Sequence, residues 1–146
     1  MNVLPFRRRR RPRPGLKRVL VPFTRGRLDP SVLEAAIRIA RAEEATLVPA
    51  YLIVVPLEQA QDAPMQQEVT RAMPLLEAVE HAALRSGVPV DARIESGRTP
   101  VHALKRLWES EQFDRIVIPA RGFTPKDLTW MLTHAPTETL IFRPAA

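Results

Sequence analysis

The sequence predicts an α/β protein: one doubly wound parallel sheet of five strands with helices on both faces. Three observations carry that prediction. Between Lys17 and Arg143 two apolar periodicities alternate strictly, in the order β-α-β-α-β-α-β-α-β. The strand-like runs are short, apolar and rich in β-branched residues, as strands covered on both faces are. Two of the helical stretches open on a capping residue followed by proline, Asp29-Pro30 and Thr99-Pro100, and proline is tolerated at a first helical position because that N–H has no partner anyway. Strict alternation calls for right-handed crossovers, which place helices on both faces of the sheet.

The elements follow in order. Val19-Leu20-Val21-Pro22-Phe23 is the first strand. The helix after it is capped by Asp29 and carries Leu33, Ala36, Ile37 and Ala40 at i, i+3, i+4, i+7, with Glu34, Arg38 and Arg41 elsewhere on the wheel. Thr46 to Val55 reads as a second buried strand and Gln59 to Ala63 as a polar connection. Met65 to Ser86 is helical through Met65, Val69, Met73, Leu76, Val79 and Ala83; Pro74 inside it predicts a kink or a restart, and Gly87 a stop. Val90 to Glu95 alternates apolar and polar residues, as an edge or near-edge strand does. Thr99-Pro100 opens a helix with Val101, Leu104, Leu107 and Trp108 on one face. Arg115 to Pro119 is the fourth strand, Leu128 to His134 a shorter helix, and Thr139 to Phe142 the last strand.

Charge divides the chain into two parts. Of 22 basic and 16 acidic residues, six arginines (Arg7, Arg8, Arg9, Arg10, Arg11 and Arg13) and no acid fall in residues 1–14. The segment 15–146 is therefore neutral, which argues against a domain built around a broad basic groove. The tail itself reads in three ways: a disordered solubilising extension, a start assigned too far upstream, or an attachment to polyanions or anionic surfaces through counterion release. Phe6 is the one aromatic near it, too few for base stacking. The absence of cysteine excludes disulfide frameworks, thiolate metal sites and thiol nucleophiles, and is compatible with a reducing, cytoplasmic location. The longest apolar stretch, Ala50 to Leu57, is far short of the roughly 20 residues of a membrane span. No apolar run after the arginines suits a secretion signal.

Four short segments carry a resemblance: Lys17-Arg18-Val19-Leu20-Val21-Pro22, Ser96-Gly97-Arg98-Thr99-Pro100, Phe113-Asp114-Arg115-Ile116-Val117-Ile118 and His134-Ala135-Pro136. In this order and spacing the chain resembles the universal stress protein (UspA-like) family over nearly all of Lys17 to Arg143. The resemblance implies a Rossmann-like sheet of the adenine-nucleotide alpha-hydrolase type, ordered 3-2-1-4-5, and homodimers formed through the last strand, here Thr139 to Phe142. It also implies, for members that bind ATP, an Asp two residues after the Pro of the first strand and the pattern G-x-x-G-x9-G-[S/T] after the fourth. Here the Asp position is Thr24, and the pattern falls on Pro119, Gly122 and Leu132-Thr133, so only the second glycine is kept. If His134-Ala135-Pro136 is aligned instead, the loop after Gly122 is short and the third glycine has no counterpart. Pro119 lacks an amide donor and Leu132 would put bulk where phosphate should lie. ATP is thus not expected to bind in the family's usual way.

In an open parallel sheet a ligand binds beyond the C-terminal strand ends, at the point where the strand order reverses. The loops there are Thr24-Arg25-Gly26-Arg27 and Ala120-Arg121-Gly122-Phe123. Arg25, Arg27 and Arg121 either converge on an anion with help from backbone amides or are solvated arginines near helix starts. His81, His102 and His134 belong to three separate predicted helices with no recognisable ligand set, so no metal is inferred. Ser31, Ser86, Ser96 and Ser110 include no G-x-S-x-G elbow, Asp29 and Asp114 read as cap and pre-strand turn, and Trp108 and Trp130 as helix packing. The expectation is a dimeric binding or regulatory domain, neither an enzyme nor dependent on a cofactor. Two alternatives stand beside it: a nucleotide-binding or ATP-hydrolysing domain using a remodelled loop with Arg121 and Gly122, and nucleic-acid association through the arginine tail.

Overall fold

Nine elements follow one another in the computed structural model, which describes residues 17–24, 26 and 28–143. They are β1 (Arg18–Phe23), α1 (Pro30–Ala42), β2 (Thr46–Val54), α2 (Gln66–Arg85), β3 (Arg93–Gly97), α3 (Pro100–Ser110), β4 (Arg115–Pro119), α4 (Pro125–His134) and β5 (Thr139–Phe142). Every strand pairing is parallel and the sheet order is β3-β2-β1-β4-β5, as expected. The arginine-rich segment 1–14, on which the tail readings rest, lies outside the described residues, as do Arg25 and Arg27.

All six residues of β1 are buried, and the pleat divides them between two cores. Val19, Val21 and Phe23 face Ala36, Ala40, Leu76 and Ala83 of α1 and α2. Leu20 faces Leu104, Leu107 and Met131 of α3 and α4 on the opposite side. Trp108 belongs to this second core, and its ring stacks on Trp130 at 5.6 Å, tying α3 to α4; both tryptophans pack as expected.

Helix starts are set locally. The Asp29 carboxylate accepts the Ser31 N–H at 2.9 Å, and the Thr99 hydroxyl accepts the His102 N–H at 3.1 Å. A third such start heads α4, where Thr124 and Asp127 form a reciprocal capping box ahead of Pro125. The helix therefore begins at Pro125 and not at Leu128, because the cap and proline outweigh the polar character of the first turn. Helix α2 runs unbroken through Pro74, held on both sides of it by Ala72, Leu76, Val79 and Ala83 in the core. Gly87 follows its C-cap with φ +72°, a left-handed stop. In α1 the residue fully buried near the start is Val32, with Leu33 at the margin.

Strand β3 is the edge strand expected but begins at Arg93 instead of Val90. Val90 makes only an isolated bridge to Leu47, and regular pairing resumes with Arg93 opposite Ala50. The interruption coincides with Asp91, which enters a buried charge cluster at the N-terminal end of the sheet. Arg18 from β1 reaches Asp91 at 3.1 Å and Glu111, at the end of α3, at 3.0 Å. Arg93 reaches Asp91 at 3.0 Å and Glu111 at 2.9 Å. Two guanidinium groups thus face two carboxylates, none more than 9% exposed, and the set is neutral. Asp114 completes the end of the sheet as the pre-strand turn residue, accepting the Arg18 N–H at 2.8 Å. The Arg18 guanidinium also lies 4.9 Å from the Phe113 ring centroid.

Buried charges of this kind are tolerated only while every member is paired. Burial pushes the Glu111 carboxyl up, but hydrogen bonds from Arg93 and Arg18 outweigh it and hold the group below the ordinary glutamate range. Its stabilisation is therefore present above the unfolded value of about 4.3 and is lost as pH falls through the lower folded value. Glu111→Gln leaves the cluster with an uncompensated cation. Denaturant titration at pH 7 is expected to show a loss of about 3–5 kcal/mol, and the variant should lose less stability than the wild type between pH 5 and acid.

Candidate functional site

The chain reverses its direction of sheet growth at β1: β2 and β3 lie to one side, β4 and β5 to the other. The connections leaving β1 and β4 therefore part above the sheet and leave a mouth, as open α/β sheets do. A cavity of about 510 Å³ lies there. Tyr51, Leu52 and Val54 of β2 and Pro56 just beyond it form one wall. Glu68 from the first turn of α2, Pro100 at the start of α3, and Thr24 and Gly122 from the two mouth loops complete it.

The walls are held from behind. The Arg98 guanidinium donates to the main-chain carbonyls of Val55 and Pro56 and fixes the exit of β2. Tyr51 meets Phe23 edge-on, with ring centroids 5.5 Å apart. A Cβ on Gly97 would come within 2.6 Å of the Ala103 nitrogen, so only glycine lets the end of β3 approach α3 this closely. Gly97 sits in the Ser96-Gly97-Arg98-Thr99-Pro100 segment, whose residues thus set both the approach of α3 and the wall of the cavity.

The two mouth loops are stitched together by Thr24, whose hydroxyl donates to the Gly122 carbonyl at 3.1 Å. Gly122 has φ +93°, and a methyl group there would run into the Thr24 hydroxyl. Several backbone groups around it are not open to an anion. Pro119 has no N–H, and the Ala120 N–H donates to the Phe142 carbonyl at 2.9 Å. The Thr124 N–H goes to the Asp127 carboxylate at 3.3 Å, the Asp127 N–H to the Thr124 hydroxyl at 3.0 Å, and Pro125 has no N–H. The start of α4, where helix polarity would favour a phosphate, is thus occupied by its own carboxylate. Leu132 and Thr133 fall in the last turn of α4, at the opposite end of the helix from the loop that holds Gly122, and the Thr133 hydroxyl donates back to the Thr129 carbonyl at 2.8 Å.

Arg121 is exposed in the loop after β4, and its charge acts on Asp29 at the start of α1. The Asp29 carboxyl is held below the ordinary range first by the Ser31 hydroxyl, then by the Ser31 N–H, with Arg121 adding to both. Of the positions singled out in the sequence, Thr24 and Gly122 line the cavity, Pro119 is buried at the end of β4, and Arg121 stands in the exposed loop. Arg25 and Arg27 fall outside the described residues. Glu68 and Tyr51 were not singled out, and nothing local marks them: Glu68 reads as a polar helix residue until the start of α2 is laid beside the end of β2.

The three histidines are exposed on separate helices, and His134 stacks on Trp130 with centroids 4.4 Å apart. Among the described residues no group of three His, Asp or Glu side chains is placed to hold a metal ion, and no helix is long and apolar enough to cross a membrane.

A family model described as the universal stress protein family matches residues 15–135. No curated protein sequence matches the chain significantly. Among solved structures, a universal stress family protein from Burkholderia pseudomallei superposes with a TM-score of 0.69 at 21% identity, covering 92% of this chain and all of that one. UspA from Lactobacillus plantarum gives 0.72 at 19% identity, over 87% of this chain and 97% of its own. A universal stress protein from Archaeoglobus fulgidus, in complex with dAMP, gives 0.66 at 12% identity, over 86% of this chain and 96% of its own. At these identities the likeness shows a shared fold.

The stitched mouth makes a testable demand. Gly122→Ala places an L residue at a left-handed φ against the Thr24 hydroxyl and is expected to cost about 1–3 kcal/mol in thermal or denaturant unfolding. Adding Thr24→Ala removes the collision but not the backbone strain, so the double variant should recover part of the loss and no more.

Proposed function

As the chain belongs to the universal stress protein family, we propose that it acts as a non-enzymatic binding and regulatory domain whose cavity takes the nucleoside part of a nucleotide without gripping the phosphates. One observation carries this reading: Pro119 and Pro125 have no N–H, the Ala120 N–H serves the Phe142 carbonyl, and Thr124 and Asp127 cap each other at the head of α4, where helix polarity would otherwise favour an anion. The dAMP in the Archaeoglobus fulgidus relative supports a purine nucleoside as the guest. The cavity volume and apolar walls suit a flat ring of that size. Among the described residues, no side-chain set in the mouth suits group transfer, which supports a role in binding over catalysis.

A homodimer belongs to the same reading. The outer edge of β5 is unpaired in the sheet order, and Leu140 on it is 41% exposed. An apolar open edge of this kind invites pairing with a second copy. The arginine segment supports a second contact, with polyanions, which the neutral remainder of the chain would not share.

Two measurements test this reading. By calorimetry, Mg-ATP is expected to bind no more tightly than adenosine, and Arg121→Ala to leave both unchanged; micromolar ATP affinity abolished by Arg121→Ala would establish the remodelled-loop alternative instead. Light scattering coupled to size exclusion is expected to give the dimer mass at tens of micromolar, and Leu140→Lys, which charges the open edge, to shift it toward the monomer.

A further inference from the structure

We infer that Glu68 is a specificity-determining residue of the cavity: it selects an uncharged nucleoside over the corresponding phosphate ester. The inference rests on the reading above that the cavity takes a nucleoside. Among the described lining residues Glu68 is the one that carries a formal charge; the others are Thr24, Tyr51, Gly122 and apolar side chains. Its side chain is only 15% exposed, while its ion-pair partner Arg71 is 65% exposed and sits 3.4 Å away. That pair lies toward solvent and is loosely made, so it leaves much of the carboxylate's negative field within the cavity. Apolar walls strengthen that field by excluding water.

A carboxylate placed this way accepts hydrogen bonds and repels anions. A nucleoside brings donors that it can receive, an exocyclic amine or the sugar hydroxyls, and no charge. A phosphate monoester brings about two negative charges into the same low-dielectric space. Among the described donors near that space, the Ala120 N–H already serves the Phe142 carbonyl and the head of α4 its own Asp127. Exclusion of phosphate thus has two parts, the self-capped head of α4 and repulsion from Glu68 on α2.

The test uses the full chain and calorimetric titration with adenosine and with AMP at low salt, on the wild type and on Glu68→Gln. The wild type is expected to prefer adenosine by on the order of tenfold, a ratio that falls as salt screens the carboxylate. Glu68→Gln should bring the two affinities to within about twofold, chiefly by improving AMP, since neutralising a wall charge removes repulsion. Thermal unfolding of the variant should match the wild type closely, because the pair with exposed Arg71 is worth little. Equal binding of adenosine and AMP by the wild type, or a preference that Glu68→Gln leaves in place, overturns the role of Glu68 while the nucleoside reading stands. Failure of adenosine to bind the wild type at millimolar concentration overturns the nucleoside reading itself.

Discussion

Strand β1 hydrogen-bonds on both edges, to β2 and to β4, and is covered on both faces, so none of its six residues meets solvent appreciably. Its two partners come from distant stretches of chain. The sheet must therefore grow first to one side of β1 and then, after β3, to the other. That reversal parts the connections at the C-terminal ends of β1 and β4 and opens the only kind of concavity a doubly wound sheet readily forms. The burial of Val19, Leu20 and Val21 and the existence of a mouth beside Thr24 are two results of one topology.

The two ends of the sheet are finished by opposite means. At the N-terminal end, Arg18 of β1, Arg93 of β3, Asp91 just before β3 and Glu111 just after α3 meet in a neutral buried set. The gain from such a cluster is small against an apolar core of equal volume, but the loss on breaking it is large, so it fixes how β1, β3 and α3 fit together. At the C-terminal end the described polar lining groups, Thr24, Tyr51 and Glu68, are spread among apolar walls. That end stays open because Arg98 and Gly97 hold β2, β3 and α3 in place without filling the space between them.

Helix starts tie stability to ligand preference. A free helix N-terminus attracts anions because its first N–H groups lack partners. In α1, α3 and α4 those groups meet Asp29, Thr99, or Thr124 with Asp127, and each helix has proline at its first position. Caps of this kind stabilise each helix by roughly 1 kcal/mol. They also take up N–H groups that could otherwise receive an anion, so on the proposed reading the residues that define where the helices begin bear on what the cavity holds.

Much of this was legible from the residues alone. Strand β4 and strand β5 are bounded as their apolar runs suggest, and the caps at Asp29 and Thr99 act as read, because each depends on contacts within a few residues. The fold class and the weakened phosphate pattern are also properties of the linear order. From the linear order β3 is expected to start at Val90 and α4 at Leu128, and nothing local marks Glu68. The start of α4 is set by the local Thr124–Asp127 box, whose polar first turn hides it, whereas the other two features depend on partners far away in the chain: Arg93 finds Glu111, and Glu68 finds the end of β2, only when the crossovers bring α3 and α2 onto the sheet. By itself, then, the sequence determined the elements, their order and the loss of two phosphate glycines, since propensity, capping and pattern act locally. The buried charge cluster, the stitched mouth and the chemistry of the cavity wall were decided by tertiary structure, because each requires side chains from separate elements to share one space.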